Sequence, residues 1–190
     1  MGIAVLACAA VWLLAGATSC AQAQRPGGTN KIIRAESFEL VENGKVRAGL
    51  GLDESGEPRL ALCNQTGEMC AVLSLSESKG TGLALYDKTG ALRAGLCVVK
   101  SGEPGLVLLD QAGKVRVQLG LPESLGPGLT LHDQTGKTRA SLGVLESGQP
   151  ALWVFDQTGK RRAELSLTES GEPGLCLFDP AGAVTWQAPR

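Results

Sequence analysis

Residues Gly136 to Thr158 read GKTRASLGVLESGQPALWVFDQT, and the next stretch, from Gly159, reads GKRRAELSLTESGEPGLCLFDPA. The two align residue for residue without a gap, and the same 23-residue unit begins at Gly44, Gly67, Gly90, Gly113, Gly136 and Gly159, with a truncated copy from Gly182. A fixed period of this length marks a repeat architecture, in which one supersecondary unit is stacked on its neighbours.

Each unit holds two short apolar runs. In the first, Ala140, Leu142 and Val144 alternate with Arg139, Ser141 and Gly143, the two-residue period of a strand. The second, Leu152-Trp153-Val154-Phe155, is apolar throughout and reads as a strand covered on both faces. Between units, Asp156-Gln157-Thr158-Gly159-Lys160 suits a type I turn closed by a glycine of positive φ. Within units, the Glu-Ser-Gly-Glu-Pro-Gly connection reads as a looser turn, its proline at a strand entrance where a missing donor is tolerated. A glycine bulge at Gly136 predicts His132 opposite Thr138 and Thr130 opposite Ala140. That register sets Ala140, Leu142 and Val144 on one face and Leu129 and Leu131 on the other.

Leucine recurs at two repeat positions, at Leu50, Leu73, Leu96, Leu119, Leu142 and Leu165, and at Leu60, Leu83, Leu106, Leu129, Leu152 and Leu175. Identical side chains at one period form ladders when units stack, and a lone two-stranded unit is too small to hold itself together. The ladders are therefore expected to supply the core. The fold class is all-β: tandem two-stranded repeats forming an elongated stacked array, either a β-solenoid or a curved antiparallel meander of hairpins, with a closed up-and-down barrel as the alternative.

Three segments follow from this reading: residues 1–23 as a signal or anchor helix, 24–31 as a linker and 32–190 as the repeat domain. Residues Ile3 to Ala17 are uncharged and apolar, and the first charged side chain is Arg25. That length fits the core of an export signal and is short for a spanning helix. Ala21-Gln22-Ala23 suits cleavage before Gln24, Cys20 offers a site for lipid attachment, and an uncleaved anchor is the third option. The expected setting is secreted or cell-envelope, with membrane attachment through the N-terminus.

Lys and Arg number 18 against 19 Asp and Glu, so no basic face is available to grip phosphates and a nucleic-acid partner is not expected. His132 is the one histidine and sits in a slot held elsewhere by Tyr86, Leu109, Phe155 and Phe178; it reads as a packed or rim imidazole. Asn64, Asp87, Asp110, Asp133, Asp156 and Asp179 recur in the turns and read as turn caps, since calcium needs six to eight oxygens and each turn offers one acid beside a lysine or its equivalent. The arginine column (Arg47, Arg93, Arg116, Arg139 and Arg162) and the column of turn glutamates read as solvated rows. Cys63, Cys70, Cys97 and Cys176 fall at four different repeat positions with no metal spacing. No cofactor is expected, and an enzyme would have to be built on the irregular second unit around Cys70. Trp153, Phe155 and Phe178 cluster near the carboxyl end and form a candidate platform for a glycan or protein partner; self-association through the leucine rows is the further option.

The motif Gly-Lys-x-Arg-Ala-x-Leu followed by Gly-x-Pro-x-Leu-x-Leu-x-Asp, with the opening Ile33 to Leu40 and the closing Trp186-Gln187-Ala188-Pro189, resembles tandem repeats of uncharacterised bacterial exported and envelope proteins. The resemblance spans residues 32 to 190. It implies a bacterial envelope setting and assigns no catalytic residue. The second unit departs from the motif, with Met69-Cys70 in place of x-Arg and Lys79-Gly80-Thr81 in place of Gly-Glu-Pro.

Overall fold

The fold was analysed in a computed structural model, which describes residues 33–121 and 126–188. The signal, the linker and Cys20 therefore lie outside the described residues. Residues 35–190 form one unit. Its strands are β1 (Ser37–Glu42), β2 (Lys45–Leu52), β3 (Pro58–Cys63), β4 (Met69–Ser76), β5 (Gly80–Tyr86), β6 (Leu92–Val99) and β7 (Pro104–Leu109) in the first half. The second half adds β8 (Val115–Gly120), β9 (Gly128–His132), β10 (Thr138–Val144), β11 (Pro150–Phe155), β12 (Arg161–Leu167), β13 (Pro173–Phe178) and β14 (Val184–Ala188). They pair antiparallel in sequence order in a single sheet. Among the described residues each strand touches only its sequence neighbours. The sheet is open, so the meander of hairpins holds, and the solenoid and closed barrel do not.

Turn chemistry explains the meander. In the Asp133 turn, Gly136 N–H donates to Asp133 O at 3.0 Å and Asp133 N–H to Lys137 O at 2.9 Å, with Gly136 at φ 84°. The same pattern recurs in the inter-unit turns at Asn64, Asp87, Asp110, Asp156 and Asp179. The turns inside units were expected to be looser, yet those starting at Asp53, Val99, Leu145 and Thr168 close with the same two bonds. Proline follows the turn as first residue of β3, β7, β11 and β13, where it leaves the closing bonds untouched. The hairpin β1–β2 turns on Asn43-Gly44, both at positive φ (51° and 73°), the two-residue solution that matches strand twist.

The faces differ from expectation. His132 does oppose Thr138, but Ala140 opposes Leu131 rather than Thr130, because Arg139 is an extra residue bulged out of β10. One unpaired residue moves the rest of a strand to the other face. The same bulge falls at Arg47, Cys70, Arg93, Arg116, Arg162 and Thr185. As a result both leucine positions share one face. A single row runs Phe38, Leu50, Leu60, Leu73, Leu83, Leu96, then Leu106, Leu119, Leu129, Leu142, Leu152, Leu165, Leu175 and Ala188. Beside it a second row mostly alternates large and small, as in Leu62, Ala71, Leu85, Ala94 and Leu108. A third, shorter row pairs Leu52 with Pro58, Val144 with Pro150 and Leu167 with Pro173.

The ladders form, but they do not make a core. Ten of the twelve leucines of the central row are 36–53% exposed. Ala151 and Phe178 are the only buried apolar residues among those described. On the opposite face one row is small and polar, with Gly51, Arg59, Ser74, Gly82, Cys97 and Gly105 following one another, and the next adds Val72, Val107 and Trp153 among alanine, glycine and polar residues. The strands pass close together there, and a Cβ on Gly82 would stand 3.1 Å from Leu96 O. This face is the more sheltered of the two, as in β11, where Ala151, Trp153 and Phe155 are less exposed than Pro150, Leu152 and Val154.

Candidate functional site

Three regions could bind something: the small-residue face near Trp153, the two turn edges, and the aliphatic face.

On the small-residue face, Trp153 opposes Ser141 on β10 and Glu164 on β12. Trp153, Thr130, His132, Ser141 and Gln118 line a hollow of about 320 Å³, floored by Gly120, Gly128 and Gly143. Absence of Cβ on the floor lets the indole lie over Gly143, with Cζ3 3.9 Å from where a Cβ would stand. His132 is held by hydroxyls on both sides, Nε2 at 3.1 Å from Thr130 Oγ1 and Nδ1 at 3.4 Å from Thr138 Oγ1. Either tautomer is served, because the hydroxyls rotate. The sequence reading of a rim imidazole therefore fits. The aromatic trio, by contrast, is split. Trp153 sits in the hollow, whereas Phe178 is buried at 9% exposure under the Arg161 guanidinium, 4.5 Å from its ring centre. Phe155 opposes Arg161 in the register. Only Trp153 is thus placed to offer a ring beside hydroxyl and amide groups, an arrangement suited to stacking and hydrogen bonding with a sugar or peptide.

The inter-unit turns carry the ionised groups. Asp133 Oδ1 accepts from Thr135 N–H at 2.8 Å, Thr135 Oγ1 at 2.7 Å and Lys137 N–H at 3.2 Å. Asp156 does the same with Thr158 and Lys160. The threonine hydroxyl first, and the backbone donors with it, hold both carboxyls down to about 2. The Thr89 hydroxyl and N–H and the Arg93 guanidinium depress Asp87 further. Asn64 fills the same role in the turn between the first and second units, accepting from Thr66 N–H at 2.9 Å and Glu68 N–H at 3.0 Å.

The arginine column is not merely solvated. Each arginine bulges from its strand, and four reach the end of the next one: Arg47 Nε to Cys63 O, Arg116 Nε to His132 O, Arg139 Nε to Phe155 O and Arg162 Nε to Phe178 O, at 2.8–3.2 Å; Arg93 donates to Asp110 O in the turn beyond. Arg93, Arg116, Arg139 and Arg162 also pair with the aspartate of the preceding turn. In the third to sixth units bulge, turn and neighbouring strand are clamped as one joint, whereas the second has Cys70 at the bulge and no such clamp.

The cysteines Cys63, Cys70, Cys97 and Cys176 are free thiols. Among the described residues no cluster of His, Cys, Asp or Glu could hold a metal ion, and no helix is long and apolar enough to cross a membrane.

The sequence reading placed the leucine ladders in a core and left only remaining rows for self-association; the structure exposes a whole face. The aliphatic face exposes about two dozen Leu, Val and aromatic side chains in three adjoining rows. At these exposures it amounts to roughly 1,500–2,000 Å² of apolar surface, several times the largest patch of an ordinary monomer (about 300–600 Å²). A signal was available in the repeat itself. Each unit carries enough aliphatic side chains for one face of two strands, and mostly glycine, alanine and polar residues for the other. Comparison of the chain with models of known protein families and with curated proteins finds no match.

Proposed function

We propose that this chain is a non-catalytic, exported or envelope-anchored repeat protein, a structural spacer whose aliphatic sheet face is its interaction surface. One observation carries the reading: a leucine row runs unbroken through twelve strands and remains about half exposed. Selection for mere solubility would place charges along such a face. Repetition supplies length and surface, and it rarely builds the single asymmetric pocket that catalysis requires. The apolar segment Ile3 to Ala17 supports export, and Cys20 is the residue through which lipid would be attached.

Replacing Leu96 and Leu142 together by lysine tests the reading. Both project from the middle of the exposed row, so the sheet itself should survive. The wild-type chain should associate, with itself, with a vesicle or with a protein partner, and the double variant should not. A wild-type chain that sediments as a monomer, floats with no vesicle and matches the variant in every respect sinks the proposal.

A second reading rests on the Trp153 hollow, whose hydroxyl and amide lining suits a glycan. Binding on a glycan array that is lost in Trp153→Ala supports it, and binding indifferent to that change removes it.

A further inference from the structure

The aliphatic face needs an occupant, and we infer that it is a second copy of this chain, packed face to face so that the acidic edge of each sheet lies over the basic edge of the other. This rests on the reading of that face as an interaction surface and names its partner.

Area comes first. A stable interface buries about 800 Å² on each side. The roughly 1,500–2,000 Å² of exposed aliphatic surface is about twice that. Sheets that bury such faces against each other lie about 10 Å apart with side chains interdigitating. The second row, with its alternation of Leu62, Ala71, Leu85, Ala94 and Leu108, provides ridges and hollows at one spacing. A partner that matches this period over fourteen strands must carry the same period, and this chain does.

Charge fixes the orientation. A meander puts alternate turns on opposite long edges of the sheet. The edge formed by the turns inside units (53–57, 77–79, 99–103, 145–149 and 168–172) carries eight acids against two lysines among the described residues. The opposite edge, with the inter-unit turns and the bulged arginines, carries eleven bases against seven acids. Rotating one copy by half a turn about an axis along the stack of strands, through the central leucine row, exchanges the edges. Acidic turns then lie over basic turns along the full length. The other face-to-face arrangement, with the axis along the strands, sets acid over acid and is disfavoured. The chosen axis also makes the contact isologous, each central leucine lying near its own counterpart.

A bilayer-spanning sheet fits less well. Strands of five to eight residues are shorter than the roughly nine to eleven needed to cross a bilayer. Among the described residues the aliphatic rows carry aromatics only at Phe38 and Trp186, in the terminal strands, where a bilayer-spanning sheet would have girdles at both interfaces.

The test uses the chain expressed from its full sequence and purified without detergent. Light scattering and sedimentation should give the mass of two chains, and Leu96→Lys with Leu142→Lys should give one. Charge reversal in the exposed turns keeps the test independent of folding. Lys137→Glu with Lys160→Glu should weaken association by about tenfold, since each change appears twice in a symmetric pair. Adding Glu146→Lys and Glu169→Lys should restore it. A monomer at every concentration overturns the inference. So does a dimer indifferent to the leucine changes, or one that the compensating reversals weaken further. A monomer that floats with lipid vesicles also overturns it, while leaving the face as an interaction surface; a chain that binds neither itself, vesicle nor protein ends both readings.

Discussion

Replacing Gly80 by alanine should damage the sheet far more than replacing Gly148 by alanine, although both glycines have positive φ, 100° and 90°. At Gly148 a Cβ would meet nothing within 4 Å, so the change costs only the left-handed conformation, about 1–2 kcal/mol. Gly80 occurs where the second unit shifts its turn glycine by one place. Its Cβ would stand 2.1 Å from Val98 O and 2.9 Å from Val99 Cα. Both are backbone atoms of β6, and no side-chain rotation relieves them. The pairing of Gly80 with Val99 and of Thr81 with Val98 has to open, adding about 1 kcal/mol for each ladder bond lost. The sum is about 3 kcal/mol or more. With a urea slope of roughly 1.5–2 kcal/mol/M for a domain of this size, the midpoint should fall by about 1.5–2 M for Gly80→Ala and by about 0.5–1.3 M for Gly148→Ala. Both are read by circular dichroism at one protein concentration. Equal shifts for the two variants would refute the close approach of Gly80 to β6. Gly126, whose Cβ would stand 2.2 Å from Val144 O, should behave like Gly80.

The acid limb of stability gives a second check. Asp133 and Asp156 titrate near 2 in the folded sheet against 3.8 as the ordinary value, so below about pH 4 the unfolded chain binds more protons. Their contribution is whole above that pH and drains away as the pH falls toward 2. Asp133→Asn with Asp156→Asn should flatten that part of the stability curve while keeping the turns, because Asn64 already makes the same bonds; an unchanged acid limb contradicts the turn-cap account. At the bulge, Arg139→Ala should destabilise by about 1 kcal/mol through the lost bond to Phe155 O, and Arg139→Lys should not recover it, because the pairing with both Phe155 O and Asp133 needs the guanidinium fork. Thermal unfolding of both variants decides this. Cys63, Cys70, Cys97 and Cys176 should react with a thiol reagent after unfolding without prior reduction, and a disulfide among them found by mass spectrometry contradicts the free thiols.

Much of the architecture is legible in the residue types. The period, the two strands per unit and the Asp-x-x-Gly turn all follow from residue types with narrow conformational preferences. Gly136 at φ 84° is the turn doing what its glycine requires. The faces were not legible, because a bulge of two residues against one has no obligatory residue type: arginine, cysteine and threonine all occupy it here. That single extra residue sent Leu129 and Leu131 to the side of Ala140. The exposure of the leucine ladders was illegible for a different reason. A sequence shows which side chains are apolar, whereas their exposure depends on which face of the sheet each strand presents. Of the candidate platform, the chemistry of Trp153 was readable, but the burial of Phe178 beneath Arg161 depends on a register the bulge had altered.

Because each strand touches only its sequence neighbours, the number of units can change without disturbing the rest. Slippage during replication that inserts or removes 23 codons adds or deletes one complete hairpin, bounded by turns of the same geometry. Each such event lengthens the sheet by two strand spacings, about 9.5 Å. Reach can therefore be tuned by inheritance in fixed increments, as on a ruler, while both margins keep their charges and the waxy side stays continuous.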